Sequence, residues 1–493
     1  MYRLFISSFF LFFLIVPNGV LAQTLVDKVQ EHRLENGATV LLVERHNSPT
    51  VAAYISFRVG GANETSQERG VAHLLEHMLF KGTKTLGTKD YPAEKKMLQQ
   101  IKTVGQKIDA LKLSSDTEPE QLQALRDHLL QLQTEHRKLV VKNEFSRIYG
   151  ENGGVGYNAY TSKDSTTYLI NLPANKLELW AAIESDRLQN AVFREFYTER
   201  DVVHEERRRS YESSPGGMMY ETLLATAYKV HPYRNPVIGW NSDIEHLDPD
   251  QIRTFFDKYY TPVNMVITLV GDFESEATLQ MVDRYFGKLD RGVPVPPVVD
   301  REPEQKGERR VTINFDAEQQ LMIAYHKPTM PHRDDYAFDI LMQVLSEGRT
   351  SRLYKNLVVD KQLVTDVSVF GAPGSRYPNL MVLGMTPRFG SSTTDIEDAV
   401  YAELERFKSE PLSPSELDIA RKQIMTSILR GLKGNSGLAR MLSSYQTLGD
   451  WRYLVDYEQH LNSITSEDIM AIAQRYLNAD NRTVVTLIRG GQS

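Results

Sequence analysis

The chain has 493 residues, a formal net charge of −7, 25% charged and 41% hydrophobic residues. This is the balance of a folded globular protein with room for two to four domains, and it excludes a disordered or fibrous chain. The mild acidic excess comes with no basic block, which argues against nucleic acid as a partner, and the absence of cysteine excludes disulfides and a cysteine-linked lipid anchor.

The first 22 residues differ from the rest. Arg3 precedes an apolar run from Leu4 to Val16, then Pro17, Asn18, Gly19 and a Val20-Leu21-Ala22 ending. This pattern predicts a secretory signal peptide (residues 1–22) cleaved after Ala22. The run is too short to be a comfortable membrane span, and no later stretch approaches spanning length. Loss of Arg3 takes the charge from −7 to −8. An exported chain that relies on its core rather than on disulfides is expected in a bacterial periplasm, with secretion to the medium as the alternative.

Leu34-Glu35-Asn36-Gly37 reads as a hairpin turn leading into a strand over Thr39–Glu44. Val51–Val59 alternates, placing Val51, Ala53, Ile55, Phe57 and Val59 on one buried face. A helix is predicted from about Gln67, and it carries His73-Leu74-Leu75-Glu76-His77. Residues at i, i+3 and i+4 share a face only on a helix. Two neutral imidazoles one turn apart can hold a zinc ion and leave positions open. The carboxylate between them can accept the proton of an attacking water, as in the inverted H-x-x-E-H signature. Val71, Ala72, Leu74, Leu75, Met78, Leu79 and Phe80 make this helix apolar nearly all round, so it should be buried. A buried polar group needs a partner, which a metal would supply.

Two amphipathic segments follow within residues 94–144. Ile101, Val104, Ile108 and Leu111, then Leu122, Leu125, Leu129 and Leu132, repeat at three- and four-residue steps, with a break over Ser114–Pro119. They predict an antiparallel helical hairpin with a coiled-coil seam, either packed on itself or serving as a docking arm or lid. Strands are predicted over Gly156–Thr161 and Thr167–Leu172, helices over 174–188 and 198–212, and a strand over Met265–Val270.

Zinc needs a third protein ligand. Glu199 and Glu206 are 206 − 199 = 7 residues apart, two helical turns, and so face the same way. The bland reading is a solvated charged face, because Arg207–Arg209 follow directly.

Pro294, Pro296 and Pro297 mark an extended linker over residues 291–307. Beyond it, residues 308–493 repeat the plan of residues 23–290. Val311–Phe315 and Leu321–His326 mirror the opening strands, Phe338–Leu345 mirrors the motif helix, Glu416–Ile428 mirrors Glu199–Tyr211, and Thr483–Ile488 mirrors Met265–Val270. Setting Asp339–Gln343 over His73–His77 keeps the apolar positions and loses the ligands, and Gln423 stands where Glu206 does. A carboxylate ligand becomes dispensable once its histidines are gone.

With these pieces in place the chain resembles the insulinase/pitrilysin family of zinc metallopeptidases. Gly70–Thr83 is similar to the family's active-site helix, Glu199–Glu206 to its second motif, Asn158-Ala159-Tyr160-Thr161 to its substrate-edge strand, and His231-Pro232-Tyr233 through Gly239 to another recurrent stretch. The resemblance implies an α+β fold of two homologous α/β units, each a mixed or antiparallel sheet flanked by helices, facing each other as a clamshell. It implies one zinc held by His73, His77 and Glu206, Glu76 as general base, and Glu199 orienting a ligand histidine. Peptide substrates would bind as an added strand on an edge that includes Asn158 and Ala159. By the residues alone, Asn158 is a strand-end turn residue.

The chain departs from the family pattern twice. An arginine and a tyrosine usually reach across from the second unit, in a stretch like Ser351-Arg352-Leu353-Tyr354 through Val367. Their aligned positions here are Val358 and Thr365, and neither serves an oxyanion as that pair would. The expectation is a heteromer in which a related subunit supplies the pair. The gap of 206 − 77 − 1 = 128 residues between His77 and Glu206 is also longer than usual, because of the hairpin. The alternative from another class is a non-catalytic scaffold or peptide-binding subunit.

Overall fold

A computed structural model describes residues 25–114 and 118–490 of the chain. The expected signal peptide lies outside the described residues, as does part of the break in the hairpin. Among the described residues no helix is long and apolar enough to cross a membrane.

The first half builds a six-stranded sheet from β1 (Gln30–Arg33), β2 (Thr39–Glu44), β3 (Thr50–Phe57), β4 (Val155–Thr161), β5 (Thr166–Pro173) and β6 (Met265–Gly271), in the order β1-β2-β6-β3-β5-β4. The second half builds a five-stranded sheet from β7 (Arg309–Phe315), β8 (Gln320–Lys327), β9 (Val364–Ala372), β10 (Asn379–Pro387) and β11 (Arg482–Arg489), in the order β7-β11-β8-β10-β9. Without β1 the two orders are the same. In each, the first and last strands of the unit pair in parallel, β2 with β6 and β7 with β11, and every other pairing is antiparallel. The duplication read from sequence is therefore a duplication of topology, and the two mixed sheets flanked by helices are the homologous pair expected.

Each unit lends a helix to the other. Pro215–Ala227 buries Met219, Leu223, Leu224 and Ala227 against Ala324, Val382, Val485 and Leu487 of the second sheet. Asn435–Leu448 buries Leu438, Ala439 and Leu442 against Ala52, Tyr54, Val266 and Val270 of the first. This exchange corrects the reading of β3. Its alternation predicts one buried face, yet every residue from Val51 to Phe57 is buried, because the borrowed helix covers the second face and Ser443 Oγ meets Ser56 Oγ at 2.6 Å. The units are also tied by polar contacts. The Asp164 carboxylate accepts from Tyr233 Oη at 2.8 Å and from the backbone N–H of Ser375 at 2.8 Å, so the 374–377 loop of the second unit hangs on the first.

The linker is extended, as expected, but pinned. The Glu302 carboxylate accepts the backbone N–H groups of Lys229, Val230 and His231. The hairpin forms as helices Tyr91–Lys112 and Pro119–His136. Its first helix does more than pair with the second. Ile101, Val104 and Ile108 are buried, and Ile101 joins the core of the first unit. The hairpin is thus not packed only on itself.

Candidate metal centre

The motif helix spans Val71–Met78, starting four residues later than the apolar pattern suggests. Gly70 at its N-cap has φ 88°, a left-handed conformation open to glycine at little cost. A Cβ there would lie 2.5 Å from the Ile238 carbonyl, and one on Gly239 (φ 87°) would lie 2.7 Å from that of Arg69. Two backbones therefore meet where neither can carry a side chain. The helix has no side-chain cap of its own. Glu64 supplies one from outside, accepting from Gly70 N and Ala72 N at 2.9 Å each and satisfying two of the orphan donors of the first turn. Burial pushes the Glu64 carboxyl up to about 8 against these bonds.

Val71, Ala72, Leu74, Leu75 and Met78 bury the rest of the helix, which leaves His73, Glu76 and His77 on one face. The second helix, Phe196–Arg207, brings Glu199 and Glu206 to that face. Arg207 fixes its end, donating to Glu221 Oε2 and to the Gly239 carbonyl at 2.8 Å each. Both helices are thus referenced to the same glycine.

One ligand atom from each of His73, His77 and Glu206 lies within 4.8 Å of the other two. His73 Nε2 stands 3.7 Å from Glu206 Oε1, and His77 Nε2 stands 3.5 Å from Glu206 Oε2. These separations are long for hydrogen bonds. The 3.5 Å separation falls within, and the 3.7 Å one just beyond, the roughly 3.3–3.6 Å edge of a tetrahedron whose bonds are about 2.0–2.2 Å. Two imidazoles and one carboxylate form an established donor set for a zinc ion with an open position, so the residues present fit the metal. The local field treats the two imidazoles differently. Burial opposes charge on His77, but the neighbouring Glu199 and Glu206 carboxylates outweigh burial and raise it to about 9, so a metal there would displace a proton from this ring. Burial and the adjacent His77 hold His73 neutral, the form that ligates. A second grouping, Glu44, His46 and Glu274, lies at the surface. There His46 is already bonded to Asp272 at 2.6 Å and Glu44 at 2.8 Å.

Glu199 faces the other nitrogen of His77, with Nδ1 to Oε2 at 3.5 Å. Its second oxygen accepts from Lys81 Nζ at 2.5 Å. Burial works against the Glu199 carboxylate, but His77 and Lys81 together hold it below the usual range. Glu76 accepts from Thr161 Oγ1 at 2.5 Å. Burial raises its carboxyl above the ordinary value, only partly offset by Thr161 and His77. Thr161 ends β4, which closes the sheet order with no strand beyond it among the described residues. Asn158 is exposed on this strand and Ala159 is buried.

In the second unit Val358 packs against the core and Thr365 is exposed on edge strand β9. Arg352 is held within the scaffold by Glu416 at 3.0 Å and Glu403 at 3.5 Å. Sequence reasoning missed Lys81, Glu64 and the part Thr161 plays against Glu76. Lys81 carried a signal, since it lies one turn beyond His77 on the same helical phase. Glu64 did not.

The chain is a two-unit α/β protein whose first unit gathers two histidines and a carboxylate and whose second does not. The comparisons with known proteins make the class specific: the chain carries insulinase-family (peptidase family M16) domains in both halves. The Insulinase (Peptidase family M16) model matches residues 39–132 and 115–240, two pieces that overlap inside the hairpin. The model described as Peptidase M16 inactive domain matches residues 246–424. The zinc protease PqqE of Helicobacter pylori is 28% identical, over 94% of each chain. A solved protease structure from Helicobacter pylori has a TM-score of 0.78 at 25% identity, covering 94% of this chain and 99% of that one. The periplasmic protease PqqL of Escherichia coli has a TM-score of 0.69 at 17% identity, covering 94% of this chain and 48% of its own.

Proposed function

We propose that this chain is a zinc-dependent endopeptidase that hydrolyses peptides or loose polypeptides lying along the free edge of β4. The observation that carries the reading is the convergence of His73, His77 and Glu206 beside a half-buried Glu76 whose carboxyl is raised. His73, His77 and Glu206 would hold the metal, and Glu199, itself held by Lys81, would orient His77. Bound zinc lowers the pKa of water and polarises the scissile carbonyl. Glu76 takes the proton from the attacking water and passes it to the leaving amine. The Thr161 hydroxyl fixes which Glu76 oxygen is free for that work. Substrate backbone would pair with β4 from Asn158 onward, since an unpaired strand edge is a template for an added strand.

The absence of an arginine and a tyrosine at positions 358 and 365 supports a heteromer, in which this chain bears the zinc and a related chain supplies the pair. That the chain spans 48% of the Escherichia coli protein is consistent with one half of a two-half assembly. The leading segment supports export to the periplasm. The rival reading is a non-catalytic peptide-binding scaffold. The inactive-domain description falls on residues 246–424, where the mirrored ligand positions are Asp339, Gln343 and Gln423, and the first half retains all of its ligands.

The test is metal content together with chelator-sensitive cleavage of a quenched peptide, for the chain alone and for the complex recovered from its own cell. Zinc in both, with cleavage by the complex and little by the lone chain, is expected. Full activity of the lone monomer or homodimer would overturn the heteromer. Absence of zinc and cleavage from both would leave the scaffold reading.

A further inference from the structure

We infer that the helical hairpin is a brace that sets the position of the third metal ligand, and that Asp109 and Gly105 are positioning residues for it. The inference rests on the zinc reading above. Tyr197 and Glu206 are 206 − 197 = 9 residues apart, two and a half helical turns, and so lie on opposite faces of Phe196–Arg207. Glu199 and Glu206 look toward the histidines. The opposite face, with Tyr197 and Arg200, is held by the hairpin. The Asp109 carboxylate accepts both Arg200 terminal nitrogens, at 2.8 and 2.9 Å, a bidentate pair that fixes direction as well as distance. It is largely buried, with side-chain exposures of 9% for Arg200 and 13% for Asp109.

Tyr197 packs against the first hairpin helix at Gly105. A Cβ on Gly105 would overlap the hydroxyl end of its ring, and its hydroxyl donates to the Lys102 carbonyl at 3.3 Å. Glycine in mid-helix is disfavoured relative to alanine, and here that cost is offset by the close approach it permits. The base of the hairpin is tied to the motif helix as well. Glu94, fully buried, accepts from Arg194 Nε at 2.7 Å and lies 2.9 Å from His136 Nε2 on the second hairpin helix. Arg194 also donates to the Lys81 carbonyl at 3.1 Å. The hairpin therefore grips the carboxylate helix from behind and the end of the histidine helix from below. It acts on the metal through its ligands' backbones and touches no substrate.

The experiment is zinc affinity by chelator competition on the full chain, for wild type, Asp109→Ala, Gly105→Ala and the pair Gly105→Ala with Tyr197→Leu. Helical content and the thermal midpoint in excess chelator are measured alongside. Asp109→Ala and Gly105→Ala are expected to weaken zinc about tenfold or more, the scale seen when the groups behind metal ligands are lost, with the fold retained and some fall in midpoint from the buried partner left behind. Tyr197→Leu should restore affinity to the Gly105→Ala chain by making room for the new methyl. Variants that keep the fold and bind zinc as tightly as wild type overturn the brace alone, as does loss of midpoint with unchanged affinity. A wild type that binds no zinc overturns the metal reading and the brace with it.

Discussion

Gln343 Nε2 donates to Gln423 Oε1 at 2.9 Å, bridging the same two helices in the second unit that His77 and Glu206 bridge in the first. The second unit thus keeps the helix pairing of the proposed metal site, with an amide pair in place of the proposed ligands. Two further groups have taken up the freed positions. Asp339, which stands where His73 does, accepts from Tyr457 Oη at 2.6 Å, and Glu416, the counterpart of Glu199, pairs with Arg352. If the helix spacing is intact, ligands should be enough to restore binding. The triple variant Asp339→His, Gln343→His, Gln423→Glu is expected to raise zinc from one equivalent to two. The second should be about tenfold or more weaker, because no carboxylate is free to orient position 343. Metal analysis after dialysis against graded chelator reads this directly, and a stoichiometry fixed at one would show that the helices have drifted apart.

Glu76 is near the proposed metal ligands but is not one of them, so binding and chemistry should separate. Glu76→Gln keeps the shape and the Thr161 hydrogen bond while removing the base. Zinc content should stay at the wild-type level, and peptide turnover should fall by about 10²- to 10⁴-fold, the usual worth of a general base. Turnover retained in a metal-loaded variant would remove Glu76 from that role. Thr161→Val should give a smaller loss, with zinc again unchanged.

Lys81 and Glu199 form a relay to His77, and the order of their effects follows from its geometry. Glu199→Ala leaves His77 Nδ1 without its carboxylate and is expected to weaken zinc about 10- to 100-fold. Lys81→Met leaves Glu199 in place but without its 2.5 Å partner, so its effect should be smaller. In the double variant the lysine substitution should add little, because its effect runs through Glu199. Competition titration of the four proteins as a cycle tests this, and full additivity of the two losses would deny the relay.

What was legible in the sequence was whatever local spacing could carry. His73, Glu76 and His77 sit within five residues, and helical periodicity alone puts them on one face. Glu206 lies far downstream, and its partner Glu199 could be told from a solvated charge run only with the help of the repeat. Thr161 escaped because Glu76 is 85 residues away, and Lys81, although in helical phase with His77, because Glu199 is 118 residues away; no periodicity links such pairs. Glu64 caps from a loop rather than from the N-cap position, where capping signals are sought. Burial of both faces of β3 was invisible for the same kind of reason. The helix that covers Ala52 and Tyr54 begins at Asn435, in the other unit, and alternation within a strand reports only the strand's own unit.

His326 offers a test of the junction between the units by pH. Burial lowers it to about 4, where its Nε2 donates to the Ala227 carbonyl at 3.0 Å on the borrowed helix and its ring meets Tyr228 edge-on. Glu302 favours its charge and Arg309 opposes it. His231, packed 6.0 Å from the same tyrosine ring, is lowered by burial too. The folded value lies below the unfolded value of 6.5, so the unfolded chain binds the proton more tightly. The contribution of His326 is therefore complete above about pH 6.5 and is lost as the pH falls toward 4. At pH 5 the loss should be about 2 kcal/mol by linkage. His326→Gln keeps a donor for the Ala227 carbonyl and cannot be protonated. Its denaturant midpoint should shift less between pH 7 and pH 5 than that of wild type. Equal shifts in the two proteins would mean that His326 is already charged at the junction near neutral pH, or that it does not feel the burial its packing implies.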